Sequence, residues 1–221
     1  MTTKTISLLP ALLAGCLLLT PSGAFAAPEP VGGPDPFGYK YADSQQTSGS
    51  PSAGVRGDFG RGVDVSGPRV VVGAPYEDTG TRNSGIAYVY DTRSPTPNVP
   101  VATLRNPDPT YYDLFGFAVA ISGTRIAVGG FSDELPGDPA DSGLVYVFDL
   151  ASPTPGQPVA VLSSPDPQSS GWFGYSVDIS GTKVVVGARF DNTGASSAGR
   201  VFVFDLASAT PTVPVATFDN P

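Results

Sequence analysis

The chemistry open to this sequence is that of carboxylates and aromatic rings. Its 221 residues hold 20 acidic side chains, 12 basic ones, one cysteine and no histidine. Acidic pairs recur at Glu77-Asp78 and Asp133-Glu134, with Asp191-Asn192 in a matching place. Around the second pair, Asp138 and Asp141 flank Pro136-Gly137, so Asp133, Glu134, Asp138 and Asp141 form the best oxygen-only candidate for a weak calcium site. The simpler reading of these loops is a solvated turn in which Asp and Asn hydrogen-bond their own backbone. Asp91, Asp149 and Asp205 also recur, each after an apolar run, and read as turn caps. Paired carboxylates could cleave a glycoside only at a separation of roughly 5 to 9 Å, which no spacing here fixes. Tyr111, Tyr112 and Trp172 precede two of the recurring segments. They could stack on a sugar, anchor a protein, or fill gaps between repeats.

Composition excludes much of the rest. Without histidine there is no Ser-His-Asp or Cys-His nucleophile and no histidine-held metal. One cysteine forms no internal disulfide and no zinc cluster. A net charge of −8 argues against a nucleic-acid partner. No catalytic residue and no cofactor is assigned, calcium being the one ion considered. The 27 glycines and 24 prolines disfavour long helices and favour many short strands.

Those strands must position the candidate residues, and the chain repeats itself to build them. Phe59-Gly60 returns as Phe115-Gly116 and Phe173-Gly174, at spacings of 56 and 58 residues. Val72-Gly73-Ala74-Pro75 returns as Val128-Gly129-Gly130-Phe131 and Val186-Gly187-Ala188-Arg189. Tyr88-Val89-Tyr90-Asp91 returns as Tyr146-Val147-Phe148-Asp149 and Phe202-Val203-Phe204-Asp205. Gly85, Gly143 and Gly199 reverse the spacings to 58 and 56, which places a two-residue insertion between Gly130 and Gly143.

Each copy contains four strand-sized pieces. In the first copy these are Gly60 to Ser66, the apolar run at Val70-Val71-Val72, Ile86 to Asp91, and Val101 to Leu104. Alternation at Val63 and Val65 predicts one buried face, and the uninterrupted valines predict a central strand. The hairpin at Ser66-Gly67 recurs at Ser122-Gly123 and Ser180-Gly181. Four antiparallel strands in roughly 57 residues is the size of a propeller blade. The fold class expected is therefore all-β, with three four-stranded blades that do not close a ring.

Phe-Gly followed 14 residues later by Gly-Ala-Pro resembles the FG-GAP repeat, found in the β-propeller of integrin α-subunits and in many bacterial exported proteins. The resemblance runs from Asp58 to Pro221 and implies a propeller-type fold. It departs at Phe131 and Arg189, where the third residue of Gly-Ala-Pro is replaced. The calcium loop of some members is missing, since Asp64-Val65-Ser66-Gly67 is too short.

The blades are placed at residues 55–107, 108–165 and 166–221. Before them, residues 1–26 read as a bacterial export signal: Lys4, an apolar run from Ile6 to Thr20, then Ala24-Phe25-Ala26 as cleavage site. The run is too short for a comfortable membrane span. Leu13-Ala14-Gly15-Cys16 offers the alternative of a lipoprotein anchored at Cys16. Residues 27–54 read as a Pro/Gly/Ser-rich linker. Arg56-Gly57-Asp58 spells an integrin-binding tripeptide, which chance explains.

The function expected is an exported, non-catalytic binding or scaffolding module, secreted or on the cell surface, that contacts protein or carbohydrate. The alternatives are a propeller module of a polysaccharide- or phosphoester-acting enzyme, and a calcium-dependent adhesin. Three blades imply either a homodimer that completes a ring or further blades beyond this chain.

Overall fold

Glycine with positive φ makes the first hairpin of every repeat: Gly67 at 59°, Gly123 at 64° and Gly181 at 59°. Such a φ at the first turn residue lets two strands turn back in two residues without splaying. The pairs Ser66 with Arg69, Ser122 with Arg125 and Ser180 with Lys183 close the three turns. In the computed structural model, which describes residues 57–221, this hairpin begins each of three four-stranded antiparallel sheets. The proposed export signal, the Cys16 alternative, the linker and Arg56 lie outside the described residues.

The first sheet holds β1 (Val63–Ser66), β2 (Arg69–Ala74), β3 (Ile86–Asp91) and β4 (Ala102–Leu104). The second holds β5 (Ala118–Ser122), β6 (Arg125–Gly130), β7 (Leu144–Asp149) and β8 (Ala160–Leu162). The third holds β9 (Phe173–Ser180), β10 (Lys183–Ala188), β11 (Arg200–Asp205) and β12 (Ala216–Asp219). Strands pair in chain order in all three, so each sheet is a meander. The valine run is central, as expected, with β2 between β1 and β3. The first strand starts at Val63 rather than Gly60, because Gly60 at φ 95° turns the chain before the ladder begins. The fourth starts at Ala102 rather than Val101.

The core lies between sheets. Val71, Val89 and Leu104 of the first blade pack against Phe115, Ile121, Val128 and Phe148 of the second. Ala127, Val145, Val147 and Leu162 on the other face of the second blade pack against Phe173, Val184, Phe202 and Phe204 of the third. A face of this kind is apolar and cannot be buried within one sheet, so stacking neighbours supplies the core.

Backbone approach at the joints explains the repeated motifs. A Cβ on Gly73 would lie 1.8 Å from the Gly116 carbonyl oxygen, and one on Gly129 would lie 2.2 Å from that of Gly174. The Phe-Gly of one blade therefore sits on the glycines of the blade before it. Backbone bonds tie the same joint: Phe115 N donates to Ser84 O at 3.1 Å, and Phe173 N to Ser142 O at 3.0 Å. Among the described residues no helix is long and apolar enough to cross a membrane.

Candidate functional site

In the first and second blades the loop between the second and third strands meets the loop leading into the next blade, at one end of the sheets. Tyr112 N donates to Arg82 O at 3.0 Å, and Trp172 N to Asp141 O at 3.3 Å. The acidic pairs and the aromatic candidates lie in or beside these loops, and the strand-ending aspartates lie at the opposite end.

The acidic pairs divide their labour. Their first members are not solvated: Glu77, Asp133 and Asp191 are buried. This corrects the solvated-turn reading for these three residues. The acids turn inward because polar partners wait there. Tyr88 Oη donates to Glu77 Oε2 at 2.9 Å, and Tyr146 Oη to Asp133 Oδ2 at 2.7 Å. The third blade has Phe202 in place of the tyrosine, and Arg200 Nη1 stands 4.0 Å from Asp191 Oδ2 instead. The second members do bridge their own loops. Asp78 accepts from Asn83 N (2.8 Å), Glu134 from Asp141 N (3.2 Å) and Asn192 from Ser197 N (2.8 Å).

Asp133 sits deepest in a polar network. Asn106 Nδ2 donates to Asp133 Oδ2 at 2.9 Å and to Asp113 Oδ2 at 2.7 Å. Burial first, and then the neighbouring Asp113 carboxylate, push Asp133 up to about 7. Burial also raises Asp113, against hydrogen bonds from Thr110 and Asn106. Tyr146 is raised by burial and by the Asp133 charge. The network ties the end of one blade to the start of the next. Of the four calcium candidates, Asp133 faces inward and Glu134 is used by the Asp141 backbone. Among the described residues no group of three or more acidic or other metal-ligating side chains is gathered to hold a metal.

The strand-ending aspartates cap turns. Asp91 accepts from Arg93 N at 2.8 Å, Asp149 from Ala151 N at 2.9 Å and Asp205 from Ala207 N at 3.1 Å. Hydrogen bonds, that from Lys183 foremost, lower Asp205 to about 2.

The aromatic candidates lie in two places. Tyr111 and Tyr112 are 63% and 40% exposed, with ring centroids 5.7 Å apart. Tyr112 also meets Tyr76 edge-on at 6.3 Å. Trp172 is half-buried across the joint of the second and third blades. It stacks on Tyr175 at 5.7 Å and touches Phe131 at 4.8 Å and Phe190 at 4.5 Å. Phe117 extends this shelf, 4.5 Å from Phe131 and 5.1 Å from Tyr175. A guanidinium closes each end: Arg61 over Phe117 at 4.4 Å, and Arg189 over Tyr175 at 5.0 Å with Nη1 donating to Tyr175 Oη at 2.8 Å.

Sequence reasoning singled out only Trp172 from this shelf. A signal was present. Arg61, Phe117 and Tyr175 follow the three Phe-Gly pairs directly, and Phe131 and Arg189 replace the proline of Gly-Ala-Pro. The joint glycines bring both positions of each repeat to one surface, so residues that break the repeat there become neighbours.

Stacked four-stranded meanders joined face to face, with loops gathered at one end, define a propeller-type repeat protein. The FG-GAP repeat model matches at residues 43–90, 99–148 and 157–204. The chain belongs to the FG-GAP repeat family. No curated protein matches it. Among the solved structures similar to it are the computationally designed Ika8 protein (TM-score 0.43, 16% identity), a europium-containing methanol dehydrogenase (0.46, 12%) and Raptor of Chaetomium thermophilum (0.44, 12%). They cover 74%, 72% and 70% of this chain, whereas the chain spans only 37%, 24% and 11% of theirs.

Proposed function

We propose that the chain is an exported, non-catalytic binding or scaffolding module whose blades hold a rim of loops against protein or carbohydrate at the cell exterior. The reading rests on one observation above others. The residues that break the repeat form a half-buried aromatic shelf with an arginine at either end, and Tyr111 and Tyr112 add an exposed pair. Aromatic faces take the flat apolar face of a sugar or a partner's side chain, and arginines take its polar groups. The frame contributes rigidity, so little ordering is required on binding. The leader at residues 1–26 supports export. No cofactor is needed for this role.

Calorimetric titration of the full chain with oligosaccharides of glucose, N-acetylglucosamine and galacturonate tests it. Trp172 is the chain's single tryptophan, so its emission reports the shelf alone. The reading expects saturable binding to a member of the panel. Affinity should fall roughly thirtyfold in Arg189→Ala or in Tyr111→Ala/Tyr112→Ala, the loss of about 2 kcal/mol expected at a binding hot spot. Unchanged affinity in both variants would remove the rim from the account. Release of reducing ends from any sugar would overturn the non-catalytic role.

A further inference from the structure

The polar groups on the aromatic shelf are donors. Arg61 stands over Phe117 at 4.4 Å, and Arg189 over Tyr175 at 5.0 Å and over Phe190 at 4.9 Å. A guanidinium carries five N–H donors and no acceptor. Arg189 spends Nη1 on Tyr175 Oη at 2.8 Å, so the phenol's own proton is left to donate elsewhere. The indole N–H of Trp172, also a donor only, meets no acceptor among the described residues. Both arginines are exposed, and among the described residues neither forms an ion pair, whereas Arg125, Lys183 and Arg200 each face an aspartate.

A surface of rings and donors selects a ligand that brings flat apolar faces and acceptors. A peptide brings backbone donors and acceptors in equal number, and its apolar anchors need a deep pocket. The shelf is shallow instead: Trp172, Tyr175, Phe117 and Phe190 are half-buried, each with part of its ring open to solvent. A neutral sugar fits the rings but leaves two guanidiniums without a counter-charge. The sugar ring of a uronate has the apolar face, and its carboxylate has two oxygens that match the fork of a guanidinium. Arg61 and Arg189 are linked through Phe117 and Tyr175 by steps of 4.4, 5.1 and 5.0 Å, a run suited to a chain with a carboxylate on more than one sugar. The net charge of −8 opposes any anion at a distance, so a ligand gains only by reaching the guanidiniums themselves.

We propose, resting on the rim reading above, that the shelf binds a uronate-bearing polysaccharide. Sugar faces lie on the rings of Trp172, Tyr175 and Phe117, and carboxylates take the free edges of Arg61 and Arg189. The repeat supplies neither arginine by default, since the matching positions hold Phe117 and Tyr175 for Arg61, and Pro75 and Phe131 for Arg189.

The full chain is titrated with tetragalacturonate, with its methyl ester, with a glucose tetramer and with tetraglutamate, and binding is read from Trp172 emission and by calorimetry. The ester keeps the sugar faces and removes the charge, and tetraglutamate keeps the charge and removes the faces. Tetragalacturonate is expected to bind and to change Trp172 emission, the ester to bind roughly thirtyfold more weakly, the loss of a charge-assisted hydrogen bond, and tetraglutamate not to bind. Arg61→Ala and Arg189→Ala should each weaken the acid and narrow its advantage over the ester. Comparison of acid with ester uses the unaltered protein and so does not depend on how a variant folds. Equal affinity for acid and ester, or tighter binding of the glucose tetramer, would overturn the proposal and leave the rim as a site for neutral sugar. Binding of tetraglutamate as tight as that of the acid would overturn it in favour of an acidic protein partner. Binding of the acid with Trp172 emission unchanged, or an acid preference that survives both arginine substitutions, would place the site away from the shelf and overturn the rim reading with it. No binding of any of the four would overturn the proposal and leave the rim to a protein partner without acidic character.

Discussion

Replacing Asp133 by asparagine should change how the stability of the chain responds to pH. The carboxylate accepts from Asn106, Tyr146 and the Glu134 backbone, yet it is buried beside Asp113, which shares the Asn106 amide. Its pKa stands at about 7, against 3.8 for an ordinary aspartate. Between pH 4 and 7 the folded chain therefore holds a proton that the unfolded chain has already released. Stability falls as pH rises wherever the folded state binds more protons. The slope approaches 1.4 kcal/mol per pH unit at most, and ends above the folded pKa. From pH 4.5 to 7.5 the loss owed to Asp133 is about 3 kcal/mol. Asparagine does not titrate, so its cost relative to the native chain should be large at pH 4.5 and smaller by about 3 kcal/mol at pH 7.5. Asp205, lowered to about 2, acts in the opposite sense: its contribution is present above pH 4 and is lost as pH falls toward 2. It lies outside the window. Urea unfolding of both proteins at the two pH values, followed by circular dichroism, makes the measurement. A stability difference that is the same at both pH values would refute the buried, proton-holding Asp133.

Three further outcomes follow from the joints and the shelf. Phe115→Ala should cost about 3 to 5 kcal/mol in urea unfolding, because the ring is fully buried between two blades. Gly73→Ala should destabilise the chain by about 1 to 3 kcal/mol, the cost of overpacking, since its Cβ meets the Gly116 carbonyl; limited proteolysis should then cut between the first two blades. Phe131→Ala should shift Trp172 emission to longer wavelength as water reaches the indole face that Phe131 covers, while Tyr111→Ala should leave it unchanged.

The sheets were legible because the sequence states them three times. A single stretch such as Val70-Val71-Val72 could be a buried strand or part of a helix. Its recurrence with the same hairpin glycine before it and the same aromatic strand after it removes the ambiguity. The glycines of the motif also pointed to close packing, and the 1.8 Å approach at Gly73 shows why alanine is excluded there. The acidic loops were less legible. An acid between Gly and Pro looks solvated, and its partner lies on another strand. Glu77 and Tyr88 are 11 residues apart, Asp133 and Tyr146 13, and the insertion disguises the match. The chain did hold a clue: where the tyrosine becomes Phe202, Arg200 appears beside the acid. The shelf was hidden for a different reason. Arg61, Phe131 and Tyr175 come from three repeats, and only the joints bring them within reach of one another.

The account rests on Phe-Gly and the facing glycines joining one blade to the next. Residue-resolved hydrogen exchange on the full chain, read by NMR, tests this most directly. The amides of Phe115 and Phe173 donate across the joints to Ser84 and Ser142. They should be protected as strongly as Val71 and Val184 in the central strands, because opening either joint exposes the shared core. Exchange of Phe115 and Phe173 at loop rates, with the strand amides still protected, would show that the blades stand apart and would contradict the account.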